Sequence, residues 1–239
     1  MGLIRKPPGR VTAGRALFRG RDLLAMPDRE LRQIRGRDIA MIFQDPMSSL
    51  NPVLTIGLQL TEALREHQGL NDAEAERQAL DMLALVGIAN APQRMRAFPH
   101  QFSGGQLQRT LFARVLLQDA DLILLDEPFN AVDAKTVGDL IALIKRWHGE
   151  ERTIMVVVHD LDLVRQNFPE TLLLARQPVA WGETRETLKP ENLLRARRFH
   201  EAWEENAPWC EPDEHAHDHD HHHDGHDHDH HHGAGPRAA

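Results

Sequence analysis

The stretch Asp121–Pro128 (DLILLDEP) places two adjacent carboxylates, Asp126 and Glu127, at the end of an apolar run and just before a proline. A strand ending in such a pair presents oxygen atoms where open α/β sheets bind their ligands. One carboxylate can hold Mg²⁺ while its neighbour orients a water. An ordinary acidic turn at a strand exit explains the same residues, and short motifs match by chance. Upstream, Phe102-Ser103-Gly104-Gly105-Gln106 opens a helical pattern. Ser103 and Gln106 have capping-box spacing. Gly104 and Gly105 leave helix N-terminal N–H groups open to close approach by an anion. A plain, well-capped helix start is the competing explanation. Three more polar features follow apolar runs: Gln44 after DIAMIF, His159 after TIMVVV, and Asn130-Ala131-Val132-Asp133 after the carboxylate pair. Taken singly, these are an exit residue, a structural histidine and a helix N-cap.

Such residues act only if regular elements hold them in place. Asp38–Gln44, Asp121–Asp126, Thr153–His159 and Thr171–Ala175 read as strands. The second and third are apolar throughout, which predicts strands covered on both faces. Asp72–Val86 reads as a helix closed by Gly87 in the left-handed conformation. Gln106–Leu117 reads as a helix with Leu107, Leu111 and Val115 on one ridge, and Val137–Trp147 as another. This alternation predicts an α/β fold with a largely parallel sheet. Gly9–Leu23, rich in Gly and Arg, reads as a short antiparallel element.

The 239 residues are 41% hydrophobic and 27% charged, which suits a globular chain with a sizeable core. No apolar run reaches the roughly 20 residues of a membrane-spanning helix. No secretory signal is expected, since Met1–Ile4 are followed at once by Arg5, Lys6 and two prolines. The single cysteine, Cys210, excludes an internal disulfide and suits a reducing compartment. The net charge of −8 is concentrated at one end. From Glu211 onward, eight acidic residues face only Arg237, giving −7 and leaving −1 for the first 210 residues. A nearly neutral body offers no basis for a nucleic-acid partner.

Residues 206–239 are expected to be a disordered tail, because Glu211–His232 is almost wholly His, Asp and Glu. It carries eleven of the 16 histidines: His215, His217, His219, His221, His222, His223, His226, His228, His230, His231 and His232. Imidazole and carboxylate together predict binding of Zn²⁺ or Ni²⁺. A solvated tail that charges near pH 6.5 is the other reading.

In this order and spacing, the motifs resemble those of the nucleotide-binding subunit of an ABC transporter. Gln44 matches the Q-loop, FSGGQ the signature, DLILLDEP the Walker B strand, NAVD the D-loop and His159 the switch histidine. The resemblance covers about residues 1–200. It implies an α/β, RecA-like P-loop NTPase core over residues 1–205, with a helical subdomain at about 53–100 that docks on a membrane partner. It also implies a homodimer or heterodimer of such subunits with ATP sandwiched head to tail. Transmembrane permease subunits and a substrate-binding protein would be the partners. The subunit would be cytoplasmic and peripheral, on the inner face of a bacterial plasma membrane. By the same resemblance, Asp126 and Gln44 would hold Mg²⁺, Glu127 would polarise the attacking water, and His159 would sense the γ-phosphate. Ser103, Gly104, Gly105 and Gln106 would face the γ-phosphate of ATP bound mainly to the other subunit. Asp133 would couple the two sites.

The sequence departs from the family pattern in two respects. It contains no GxxxxGK[ST]; its four lysines, Lys6, Lys135, Lys145 and Lys189, follow no glycine. It also has no tyrosine to stack on adenine. Met1–Ile4 resemble the end of the helix that follows the phosphate loop. The chain is therefore expected to start late, to grip the β- and γ-phosphates weakly, and to expose unpaired sheet edges. In addition, residues 3–104 resemble dipeptide and oligopeptide importer ATPases, whereas the sequence from about Gly105 resembles zinc and manganese importer ATPases, with a junction near Ser103–Gln106. With the histidine tail, this favours an importer ATPase for zinc or another divalent metal. An oligopeptide importer ATPase, and a non-catalytic metal-binding protein acting through its tail, are the alternatives.

Overall fold

The computed structural model describes residues 11–130, 132–175 and 177–206. The histidine tail, Cys210 and Met1–Ile4 lie outside the described residues. In chain order the elements are β1 (Leu17–Phe18), β2 (Arg21–Asp22), α1 (Asp28–Ile34), β3 (Ile39–Ile42), α2 (Pro46–Ser49), α3 (Ile56–Gln68), α4 (Asp72–Leu85) and α5 (Ala91–Met95). They continue with α6 (Gly104–Gln118), β4 (Leu122–Asp126), α7 (Ala134–Gly149), β5 (Thr153–Val157), α8 (Leu161–Asn167), β6 (Glu170–Ala175), β7 (Gln177–Glu183), α9 (Thr184–Thr187) and α10 (Pro190–Asn206).

The centre is a parallel sheet in the order β3-β4-β5. Its register pairs Ala40 with Ile123 and Ile42 with Leu125, then Ile123 with Ile154 and Leu125 with Val156. Side chains alternate across a strand, so these residues share one face. That face joins Leu107, Leu111 and Val115 of α6 in a continuous core, which confirms the ridge expected from their spacing. Phe112 and Trp147 stack at 5.5 Å between ring centroids and tie α6 to α7. The core runs on through Leu60 and Leu64 of α3 and Ala75, Ala79 and Leu83 of α4.

Local sequence accounts for the helix ends. Asn71 and Glu74 form a reciprocal capping box at the start of α4. At its end Gly87 adopts φ 76°. Ile88 N–H donates to Leu83 O at 2.9 Å and Gly87 N–H to Ala84 O at 3.0 Å, the paired bonds of a Schellman ending. Gly57, near the start of α3, permits a close approach. A Cβ there would lie 2.7 Å from the Met95 carbonyl oxygen of α5.

The structure corrects two expectations. Strand β5 is not covered on both faces: Met155 is 59% and Val157 46% exposed, while Ile154 and Val156 pack on the core. Among the described residues β5 pairs only with β4 and forms a sheet edge. An unbroken apolar run reports composition, not cover. The Thr171–Ala175 strand also stands outside the parallel sheet. As β6 it pairs antiparallel with β7 in a separate two-stranded sheet. The antiparallel element expected within Gly9–Leu23 is present as the β1–β2 pair, Leu17 against Asp22. Among the described residues, no helix is long and apolar enough to cross a membrane.

Candidate functional site

Strand β4 ends at Asp126, in register with Val157 of β5. The chain then turns sharply, with Glu127 at φ 46°, a region that bulky residues rarely occupy. Its N–H donates to Val157 O at 3.1 Å, so the neighbouring strand fixes the turn. Three side chains converge on the Glu127 carboxylate. Gln44 Nε2 donates to Oε2 at 3.0 Å, Asn130 Nδ2 donates to the same oxygen, and His159 Nε2 meets Oε1 at 2.5 Å. The His159 contact, then the Gln44 and Asn130 hydrogen bonds and the charge of His159, hold the Glu127 carboxyl below its ordinary range. The Glu127 side chain is only 12% exposed while that of His159 is 75% exposed, so the pair opens to solvent through the imidazole. A cavity of about 350 Å³ adjoins it, lined by Glu127, Phe129, Val132, Val157, His159 and Leu163 among others.

The glycine-rich helix start forms a second cluster. Ser103 is the N-cap of α6: its Oγ accepts from Gln106 N–H at 3.3 Å, and Gln106 Oε1 accepts from Ser103 N–H at 3.1 Å. The capping box predicted from spacing is therefore formed. Gly104 and Gly105 open the helix, where N–H groups lack intrahelical acceptors. A Cβ on Gly105 would sit 3.6 Å from Asp133 Oδ2, which places this helix start beside the Asp133 turn. Asp133 caps α7. Its Oδ1 accepts from Thr136 N–H at 2.9 Å and its Oδ2 from Thr136 Oγ1 at 2.7 Å, and these bonds hold its carboxyl below the ordinary value.

The residues singled out by sequence thus fall into two groups. Gln44, Glu127 and His159 meet around one carboxylate at the carboxyl ends of β3, β4 and β5. Ser103, Gly104, Gly105 and Gln106 adjoin Asp133. Gln44 reaches Glu127 with its amide nitrogen, which leaves its oxygen available. Asp126 stands at the end of β4; carboxylate and amide oxygens are the donor types that Mg²⁺ takes alongside phosphate. Among the described residues, no group of three or more His, Cys, Asp or Glu could hold a metal by itself. Asn130, Thr136 and Arg109 are further participants. Asn130 was singled out in the sequence as part of the turn after the carboxylate pair, but not as a partner of Glu127; the contacts of Thr136 and Arg109 leave no local signal.

Such a core, with a strand-end glutamate gripped by glutamine and histidine beside a capped glycine helix start, defines an α/β nucleotide-binding cassette. A sequence profile described as ABC transporter matches residues 3–130, and the chain belongs to that family. It is 42% identical over 167 residues to the dipeptide transport ATP-binding protein DppD of Bacillus subtilis, covering 70% of this chain and 50% of that protein. It is 39% identical over 188 residues to the oligopeptide transport ATP-binding protein OppD of Salmonella typhimurium, covering 78% and 56%. The chain spans about half the length of the curated relatives it matches. Among solved structures it resembles the ATP-binding cassette MJ0796, in a dimeric post-hydrolysis state bound to ADP and Pi. That match has a TM-score of 0.65 and 26% identity, and covers 72% of this chain and 74% of that one.

Proposed function

We propose that this chain is an ATP-hydrolysing subunit of an ABC importer, with peptides as the transported class. The observation that carries the ATPase reading is the Glu127 carboxylate at the strand ends, fixed by Gln44, Asn130 and His159. A carboxylate so held is oriented to accept a proton from a water attacking the γ-phosphate, with His159 beside it to contact the phosphate. Bound Mg²⁺ would neutralise phosphate charge, with Asp126 and the Gln44 carbonyl as its protein ligands. The Ser103–Gln106 helix start and Asp133 would face a second cassette, in a dimer like that named for MJ0796. Permease subunits and a substrate-binding protein complete the proposed assembly, at the inner face of a bacterial plasma membrane.

The names of the relatives favour peptide over zinc, although the sequence after Gly105 had pointed to zinc. Zinc or nickel binding by the tail histidines remains a separate proposal. So do the division into a core over residues 1–205, a helical subdomain at about 53–100 and a tail over 206–239. We further propose that the chain by itself lacks a full phosphate grip, because no GxxxxGK[ST] occurs among its 239 residues. Mg²⁺–ATP turnover tests this, measured for the chain alone and mixed with a cassette subunit that carries an intact phosphate loop. Little turnover alone and stimulation in the mixture are expected. Fast turnover alone would overturn the phosphate-grip proposal. Absence of any ATP-dependent association or stimulation would overturn the ATPase reading.

A further inference from the structure

Arg109 projects from the second turn of α6 into the gap between two other helices. Its Nη1 donates to Val86 O at 2.9 Å; its Nη2 donates to Thr136 Oγ1 at 3.0 Å and to Asp139 Oδ2 at 2.7 Å. Val86 is the C-cap of α4, where carbonyls lack helical partners and the helix dipole is negative. Thr136 and Asp139 belong to the first turns of α7. The Arg109 side chain is only 15% exposed. Gly87 leaves the space it occupies, since a Cβ there would lie 3.2 Å from Nη1.

Thr136 Oγ1 uses its single proton on Asp133 Oδ2 and accepts from Arg109. The hydroxyl therefore points one way only. Without Arg109 it could rotate away, and Asp133 would lose the direct attraction of the Arg109 charge as well as the fixed hydroxyl, keeping the backbone bond from Thr136. We propose that Arg109 is a positioning residue that acts through Thr136 to hold Asp133, and that ties this hold to the end of α4. Its meaning for catalysis rests on the ATPase reading, in which Asp133 faces the second site; the geometric claim does not. Lysine cannot replace it, because an ammonium lacks the planar fork that reaches three acceptors. Asp139, half exposed, contributes the salt bridge but no contact with Asp133.

The test uses the full chain without nucleotide, so its outcome is independent of turnover. Amide exchange at Thr136 and Val137 and the NMR titration of the Asp133 carboxyl are read in Arg109→Gln, Thr136→Val, the double variant and Asp139→Asn. Losing a hydrogen bond to a charged group should speed exchange on the order of tenfold. Arg109→Gln and Thr136→Val should each do so and raise the Asp133 titration midpoint. In amide exchange the double variant should do no more than either single change, and Asp139→Asn should leave exchange at Thr136 and Val137 unmoved; in the titration the lost Arg109 charge adds its own upward shift. Arg109→Lys keeps the charge and loses the fork, so it is read beside Arg109→Gln, with a smaller upward shift expected. An Asp133 titration unshifted in Arg109→Lys, which keeps the charge, or additive exchange effects in the double variant, would overturn the proposal.

Discussion

Ser103 serves both as the cap of α6 and, in the proposed function, as a contact for phosphate, and substitution can separate these roles. Its Oγ accepts from Gln106 N–H at 3.3 Å, near the long limit of a hydrogen bond, while the reciprocal Gln106 bond to Ser103 N–H at 3.1 Å needs no serine side chain. Only one bond is lost in Ser103→Ala. Removing an N-cap of this kind costs about 1 kcal/mol, and the long geometry points to the lower part of the usual range, about 0.5–1 kcal/mol. For a chain of this size that is a drop of about 1–4 °C in Tm. Ser103→Asp keeps a cap acceptor and adds a charge that the helix N-terminus favours, so its Tm should match or exceed that of the parent. The same negative charge would repel a γ-phosphate. The assay pairs thermal unfolding by circular dichroism with ATP turnover in the mixture with a loop-bearing cassette. Ser103→Asp should be stable yet lose the stimulation, and Ser103→Ala should be slightly less stable and partly active. Full stimulation by Ser103→Asp would refute the phosphate contact. A Tm loss well beyond 4 °C in Ser103→Ala would refute the cap reasoning.

Gly57→Ala improves helix propensity by roughly 1 kcal/mol but drives a methyl to 2.7 Å from the Met95 carbonyl. The net change should be a loss of about 1–3 kcal/mol, read as a lower urea midpoint at unchanged slope. Because the folded state holds the Glu127 carboxyl below its ordinary value near 4.5, its contribution to stability is present above that pH and fades as pH falls through the folded value. Glu127→Gln should therefore flatten the loss of stability between pH 7 and the acid range; an unchanged pH slope would contradict this. Zinc titration of the full chain should show sites that a 1–210 truncation lacks, and equal stoichiometry in the two would refute tail binding.

What the sequence made legible was mostly local. The Gly87 ending of α4, the Ser103–Gln106 box and the Leu107, Leu111 and Val115 ridge depend on neighbours within a few residues, and each has a spacing that physics restricts. Gln44 and Glu127 were both legible as strand-exit residues. Their contact was not, because it joins positions 83 apart through the β3–β4 register. The same holds for Arg109 and Asp139, 30 residues apart on different helices. The run TIMVVV misleads for a different reason. Strand composition shows which residues tolerate burial, whereas cover depends on what packs above the strand, and there Met155 and Val157 meet solvent.

That edge also bears on how the molecule behaves in a tube. Thr153–Val157 is an uncharged, mostly β-branched segment without proline, and among the described residues its outer backbone N–H and C=O groups have no strand beside them. Such a strand is a template for pairing with another copy: β5 against β5 closes a dimer, and growth into a longer sheet would use the opposite edge strand, β3, as well. Colloidal stability, more than folding stability, then sets the working concentration of the purified chain. A single Met155→Lys exchange on the exposed face should lower light scattering on concentration while leaving the Glu127 cluster in place.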